Sequence, residues 1–148
     1  MSQLLGVLEI SGSGLSAERL RMEAAAQNIA NAMNTSSSPD AVYRPLRVIT
    51  EQVNFAGLMG EEGVGANEHA AIRGVQSRVA LSNSPARLIH DPEHPLANEQ
   101  GNIYRPGIQV ALEMTEIMMA VRAYEANVKA VGAARQMFQS ALRIGSGT

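Results

Sequence analysis

Two histidines four positions apart are the residues best suited to chemistry in this chain. His90 and His94 enclose an aspartate and a glutamate, and all these side chains are common metal ligands. On a helix, histidines at this spacing lie on one face and can share a metal ion. Pro92 and Pro95 interrupt the segment, so helical spacing is not expected. We therefore predict a turn with ordinary polar contacts and no metal site.

A second candidate is the acidic pair Glu61 and Glu62 in a glycine-rich stretch. The stretch resembles a phosphate-binding loop only in its glycines, because no Lys-Ser/Thr pair follows it. A flexible loop is the expected structure. The chain has no cysteine, which excludes disulfides and thiol nucleophiles, and its three histidines form no interpretable catalytic triad. The sequence thus predicts no catalytic residue, no cofactor and no enzyme; a small hydrolase is the least favoured alternative.

Composition limits the partners of the chain. Its 148 residues are enough for one domain with appendages. A formal charge of −2 provides no general attraction to nucleic acid or to anionic lipid. No apolar run approaches the roughly 20 residues that span a bilayer, and the N-terminal residues lack the features of a cleavable secretory signal. We expect neither nucleic-acid binding nor membrane insertion.

The sequence divides into three regions with different hydrophobic patterns, residues 1–34, 35–106 and 107–148. The helices and strands of these regions would position any functional residues. In the first, Leu8, Leu15, Met22 and Ile29 recur every seven residues, which predicts a helix with an apolar stripe. The segment from Ser11 to Gly14 contains two glycines. Either the helix breaks there, with Ser13 or Ser16 capping a second segment, or the glycines stay helical and let a neighbouring backbone come close.

The middle region has the pattern of short β-strands. The candidates are Tyr43 to Val53, Ala71 to Leu81, Arg87 to His90 and Asn102 to Tyr104. Glycines and prolines separate them. We expect a small, loop-rich β insert.

The third region contains the clearest periodicity. Positions spaced alternately by four and three residues from Val110 to Leu142 are all apolar except Arg135, which predicts one long helix that ends near Gly145. A small insert cannot cover this helix and the first one. The predicted fold class is therefore α+β, with long N- and C-terminal helices that pair as a coiled-coil-like bundle and a small loop-rich β insert between them. Helices from other subunits are needed to cover the rest of the apolar surface.

The residues predicted to form the assembly interface share these apolar stripes, with two asparagines near the end of the first helix added. They are Leu8, Leu15, Met22, Asn28, Ile29, Asn31, Val110, Met114, Ile117, Val121, Tyr124, Val128, Val131, Phe138 and Leu142. Asn28 and Asn31 could make polar contacts between helices or cap the helix end. Met114, Met118, Met119 and Met137 could form an adaptable groove or ordinary core.

Two terminal motifs resemble the signatures of the flagellar axial proteins, which build the rod, hook and hook-associated parts. The first motif is Ser11-Gly-Ser-Gly-Leu15 followed by Ala24-Ala-Ala-Gln-Asn-Ile-Ala-Asn31; the second is Arg122-Ala-Tyr-Glu-Ala-Asn-Val-Lys129 with Gln136-Met-Phe-Gln139. Ser37-Ser-Pro-Asp-Ala-Val-Tyr-Arg44 and Asp91-Pro-Glu-His-Pro-Leu-Ala97 are similar to the proximal rod proteins of the FlgC type. Arg105-Pro-Gly-Ile108 departs from that family, which more often has Asn after the proline.

The resemblance implies a structural subunit of the proximal rod in the bacterial flagellar basal body. It implies export by the flagellar type III apparatus without a cleavable signal peptide. It further implies assembly in the periplasm, with other rod proteins and copies of itself, into a tube that transmits torque. The alternative from the residues alone is a self-contained coiled-coil adaptor that forms a discrete dimer or trimer.

Overall fold

Along the sequence, four strands lie between two long helices. The computed structural model describes residues 2–54 and 73–145. Helix α1 spans Ser2–Asn31 and helix α2 spans Val110–Gly145, with 30 and 36 residues. Within the described residues, neither helix is both long and apolar enough to cross a bilayer. The predicted long C-terminal helix is confirmed, at a length of about 54 Å for a rise of 1.5 Å per residue.

Helix α1 continues without a break through Ser11–Gly14. The hydroxyl of Ser13 donates to the carbonyl oxygen of Ile10 at 2.8 Å, so this side chain bonds within the helix. A Cβ on Gly14 would lie 3.1 Å from the Nδ2 atom of Asn127. Of the two alternatives, the helical one is confirmed, but the atoms nearest Gly14 belong to a side chain of α2 and not to a neighbouring backbone.

The strands form two separate two-stranded sheets. Strand β1 spans Leu46–Asn54 and pairs with β2, Arg73–Leu81. The Ser82 amide donates to Pro45 O at 2.7 Å, and the hydroxyls of Thr50 and Ser77 lie 3.1 Å apart. Since both pairs of residue numbers sum to the same value, these two strands run antiparallel.

The second sheet joins β3, Arg87–His90, to β4, Asn102–Arg105. Its antiparallel register places Arg87 opposite Arg105 and His90 opposite Asn102. A bridge from Ser36 to Tyr104 attaches the chain that follows α1, and a short 3₁₀ helix, Pro39–Ala41, comes next. Each of the four predicted segments contains a strand, although β1 begins at Leu46 and not at Tyr43. The predicted loop at Glu61 and Glu62 lies outside the described residues.

The chain divides into two compact units that are discontinuous in sequence. The first contains residues 1–19, 50–78 and 121–148, and the second contains residues 20–49 and 79–120. The second unit holds most of the buried residues of the described chain: Ala24, Ala25, Asn28, Ala32, Val42, Ile103, Ile108, Glu113 and Ala120. The predicted α+β class is confirmed. Coiled-coil-like pairing of the helices and the three-part division of the sequence remain predictions.

Candidate assembly surface

Asn28 is the most completely bonded side chain in the second unit. Its Nδ2 donates to Leu46 O at 2.9 Å and to Glu113 Oε2 at 3.0 Å. Its Oδ1 accepts from the Leu46 amide at 2.8 Å and from the Tyr43 hydroxyl at 3.1 Å. An amide side chain has two donor hydrogens and two acceptor lone pairs, so every bonding position of this fully buried residue is used. Asn28 therefore joins α1 to the start of β1 and to α2.

Glu113 is the acidic member of this polar cluster, which we define as Asn28, Tyr43, Leu46, Arg47 and Glu113. Its side chain is only 3% exposed, and its second oxygen, Oε1, lies 3.3 Å from the Arg47 guanidinium. A buried carboxylate is costly without partners. Here the asparagine amide and the arginine supply them. The arginine side chain is 52% exposed, so solvent weakens this ion pair.

The Tyr43 hydroxyl lies at the edge of the same polar cluster. Burial, and secondarily the negative charge of Glu113, raise the pKa of Tyr43 above its ordinary value. The neutral phenol is thus favoured, and it can donate its proton to Asn28 Oδ1. The Tyr43 hydroxyl therefore keeps this hydrogen bond at neutral pH.

Asn31 has a different role from Asn28. Its Nδ2 donates to Gln27 O at 2.8 Å, one turn back, and its Oδ1 accepts from Asn34 Nδ2 at 2.7 Å. Both contacts are local and exposed. Of the alternatives left open by the sequence, Asn28 makes the contact between helices, and Asn31 bonds within the end of α1.

The predicted apolar stripe of α1 lies beside its buried face. The buried residues of the described part of this helix are mostly small: Gly6, Ala17, Ala24, Ala25 and Asn28. Leu15, Met22 and Ile29 are half-buried, and Leu8 is exposed. Small side chains at the buried positions allow the neighbouring backbone to approach closely. The larger side chains remain available at the edge of the contact.

The predicted stripe of α2 is mostly in solvent. Only Glu113 and Ala120 of this helix are buried, and both belong to the second unit. The exposed members of the stripe are Met114, Val121, Tyr124, Val128 and Leu142. The half-buried members are Val110, Ile117, Val131 and Phe138. None of residues 121–145 is buried, so this part of α2 presents an unusual amount of apolar surface.

Further large apolar side chains on α2 are exposed outside the predicted stripe. They are Leu112, Met118, Met119, Met137 and Ile144. Three of them are methionines, and flexible methionines suit surfaces that adapt to different partners. The exposed apolar surface of α2 is therefore broader than a single coiled-coil seam.

The candidate metal ligands make local contacts. A ring nitrogen of His90, Nδ1, lies 2.9 Å from Asn102 Oδ1, and His94 Nδ1 accepts from the Leu96 amide at 3.1 Å. No group of three potential metal ligands occurs among residues 2–54 and 73–145. The arrangement of these histidines is that of a hydrogen-bonded turn.

The described part of the chain has two long helices with exposed apolar faces and four short strands between them in sequence, an arrangement typical of structural subunits. A profile described as "Flagellar basal body rod FlgEFG protein C-terminal" matches residues 99–144. The flagellar basal-body rod protein FlgC of Escherichia coli O157:H7 is 32% identical over 142 residues, which cover 96% of this chain and 98% of the relative. FlgC of Bacillus subtilis strain 168 is 32% identical, covering 93% and 95%.

A third relative, FlgC of Aquifex aeolicus, is 32% identical over 139 residues, or 94% of this chain and 95% of its own. The chain belongs to the FlgC family of flagellar basal-body rod proteins. It is a structural subunit of the basal-body rod and not an enzyme, as its sequence predicted.

Sequence patterns missed part of the polar cluster. Periodicity places Glu113 in the first turn of α2 but indicates no partner for it, and its carboxylate binds Asn28 and Arg47. Arg47 occurs in an alternating strand, where a charged residue is normally solvent-facing. A signal was present in Asn28 itself, because an asparagine flanked by alanines on a buried helix face needs polar partners.

Proposed function

We propose that this rod subunit assembles through α1 and α2 into the tubular proximal rod, in contact with other rod proteins and with copies of itself. The observation that carries the proposal is the apolar surface of α2 beyond Ala120. Val121, Tyr124 and Val128 are each more than a third exposed on one side of this helix. Such a surface gains free energy when helices of other subunits cover it.

The geometry of the exposed surface favours an open assembly. The exposed large side chains of α2 extend from Leu112 to Ile144, nearly the whole helix. A long helix can contact several neighbours along its length, and contacts between unlike surfaces need not close into a ring. Repeated head-to-tail contacts of this kind generate helical tubes. A discrete two- or three-helix coiled coil would leave much of this broad surface uncovered.

The proposal extends to the route and place of assembly. The subunit is exported unfolded by the flagellar type III apparatus, without a cleavable signal peptide, and joins the rod in the periplasm. The absence of cysteine is compatible with threading through a narrow channel, since no disulfide has to be reduced. Partners inside the rod then provide the cover that α2 lacks in a single chain.

Deletion of the gene is the direct experiment. The expected result is loss of swimming and loss of all structures distal to the basal ring, both restored by the intact gene in trans. Light scattering on the purified chain provides a second measurement. A stable, discrete dimer or trimer, together with normal swimming of the deletion strain, would refute a rod subunit that needs other rod components.

A further inference from the structure

Two arginines face each other at one end of the β3–β4 hairpin. Arg87 and Arg105 are direct partners in the antiparallel register. Like charges opposite each other are unfavourable in a sheet. Among the described residues no hydrogen bond or ion pair neutralises either guanidinium, and the Arg105 Nε atom is buried without a hydrogen-bond partner. We call these two residues the arginine rung. No carboxylate of residues 2–54 and 73–145 pairs with the rung to offset its charge.

The arginine rung borders a groove of about 330 Å³ in the second unit. Apolar side chains line most of the rest of this groove, including Met33, Ile89 and Ile108. Met33 is 73% exposed, and no acidic residue lines the groove. The matching ligand is a segment that presents carboxylates next to a large apolar side chain. Guanidinium groups bind carboxylates with two parallel hydrogen bonds, which makes this recognition specific.

A segment with that chemistry lies at the other end of the same hairpin. The loop that joins β3 to β4, residues 91–101, presents Glu93, Leu96 and Glu99 to solvent. Leu96 is a large apolar side chain with 48% of its surface exposed. This loop, which we call the acidic loop, thus combines two exposed carboxylates with one apolar anchor.

The acidic loop is held in one conformation by its own hydrogen bonds. The Asp91 amide donates to Gly101 O at 2.9 Å, and the Ala97 amide donates to His94 O at 2.9 Å. Gly101 has a φ of +73°, a conformation that favours glycine. A loop that is ordered before it binds loses little conformational entropy on binding.

The acidic loop cannot neutralise the arginine rung of its own hairpin. The rung lies at Arg87, and the loop begins after His90, three strand positions away. At about 3.3 Å per residue this separation is about 10 Å along the strand. The two features also lie at opposite ends of the ladder. A contact between them requires two molecules.

We propose that the acidic loop of one copy of this chain docks on the arginine rung and apolar groove of the next copy. Leu96 enters the groove, while Glu93 and Glu99 bind the two arginines. The contact joins unlike surfaces and is therefore head-to-tail. A row of copies joined in this way has a free acidic loop at one end and a free arginine rung at the other. This inference rests on the proposed function, in which copies of the chain are neighbours in the rod. It adds a second contact, distinct from the terminal helices.

Charge reversal tests the proposal in a deletion strain that carries variant genes. Arg87→Glu changes an exposed side chain, so folding is expected to persist, and swimming is expected to fall. Glu93→Arg or Glu99→Arg alone is expected to have the same effect. Combining Arg87→Glu with one of these loop reversals restores the attraction and should restore swimming. Arg87→Glu with Asp40→Arg has the same net charge without the complementarity, and it should remain defective.

Cross-linking in purified basal bodies supplies the direct readout. The chain has no cysteine, so Gln109→Cys at the groove and Gln100→Cys in the loop introduce unique thiols. A short bismaleimide is expected to join copies that carry both cysteines into a ladder on a denaturing gel. Copies that carry one cysteine should give no ladder, and Arg87→Glu should reduce the ladder of the doubly labelled chain.

The outcomes separate this inference from the proposed function. If the chain is absent from purified basal bodies, the proposed function itself fails, and with it the contact. If the chain is present but no ladder forms and neither loop reversal restores Arg87→Glu, the second-copy contact is wrong. A defect of Arg87→Glu that is suppressed only by changes in another rod protein would also overturn it, since the groove would then hold that protein.

Discussion

The Nδ2 atom of Asn28 donates to Oε2 of Glu113 at 3.0 Å, across 85 positions of sequence. One residue belongs to α1 and the other to the first turn of α2. Because the same asparagine also binds both backbone groups of Leu46, the two helices and β1 meet at one side chain. This polar cluster fixes the helices relative to the strand within the second unit. It provides specificity that a stripe of alanines alone cannot supply.

Replacing Asn28 by alanine is expected to destabilise the second unit strongly. Asn28→Ala removes four hydrogen bonds and leaves the buried Glu113 carboxylate without its amide donor. We expect a loss of about 2–4 kcal/mol in the free energy of unfolding, since each buried group left unbonded costs about 1–3 kcal/mol. Urea unfolding followed by circular dichroism measures it. Asn31→Ala is the matched control, with an expected loss below about 1 kcal/mol because its bonds are local and exposed. Equal losses for both variants would contradict the assigned roles.

The free energy of unfolding should fall at alkaline pH as Tyr43 ionises. Burial, with the Glu113 charge second, raises the pKa of Tyr43 in the folded chain above its unfolded value of 10.0. A raised folded pKa means that the contribution is complete below pH 10 and is lost as the pH rises through the folded pKa. Tyr43→Phe should cost about 0.5–1.5 kcal/mol at neutral pH, and this difference should shrink above pH 10. Unfolding of both proteins at pH 7–11 measures the difference. A difference between the two proteins that does not change with pH would show that the ionisation of Tyr43 is not coupled to folding.

Sequence patterns predicted where the helices and strands lie better than which of their faces are buried. The strands from Arg87 and Asn102 and the helix ending at Gly145 follow from local propensity and periodicity. The buried face of α1 does not follow from its largest residues, because Ala24 and Ala25 are buried while Leu8 is exposed. Burial depends on how closely two backbones approach, which is a property of the packed structure. The partners of Glu113 likewise come from residues distant in sequence, so no local pattern identifies them.

Gly107 is expected to tolerate no side chain. A Cβ at this position would overlap the carbonyl oxygen of Pro85, a backbone atom that cannot move alone. Gly107→Ala should therefore lower the free energy of unfolding by about 1–3 kcal/mol, as overpacking does elsewhere. Thermal unfolding measures the change. The matched control is Gly132→Ala, where a Cβ would meet nothing within 4 Å, and no loss of stability is expected there. A Gly107→Ala protein as stable as the wild type would refute the close approach to Pro85.

Hydrogen exchange on the purified, unassembled chain should divide α2 at Ala120. Glu113 and Ala120 are its only buried residues, and none of residues 121–145 is buried. Amide hydrogens that are protected only by hydrogen bonds within a helix exchange quickly, because the helix opens easily when no tertiary packing holds it. We expect slow exchange at residues 113–120 and fast exchange at residues 125–142, measured by mass spectrometry after proteolysis. In assembled rods the second segment should become protected. Uniform protection of α2 in a monomer would contradict the need for partners.

Aspartate on the exposed stripe of α2 should abolish swimming without unfolding the chain. Val121 and Val128 are 37% and 46% exposed, so neither supports the core of the single chain. In the rod, an unpaired carboxylate at a covered apolar contact would cost about 3–5 kcal/mol, enough to block assembly. We expect Val121→Asp and Val128→Asp to be expressed, exported and folded in the second unit, yet to leave cells non-motile on soft agar. Ala126→Asp adds the same charge at an exposed position about 140–160° round the helix from both valines, where no large apolar side chain lies one turn away, and it should preserve swimming. Normal motility of both valine variants would place the contacts of α2 on another face.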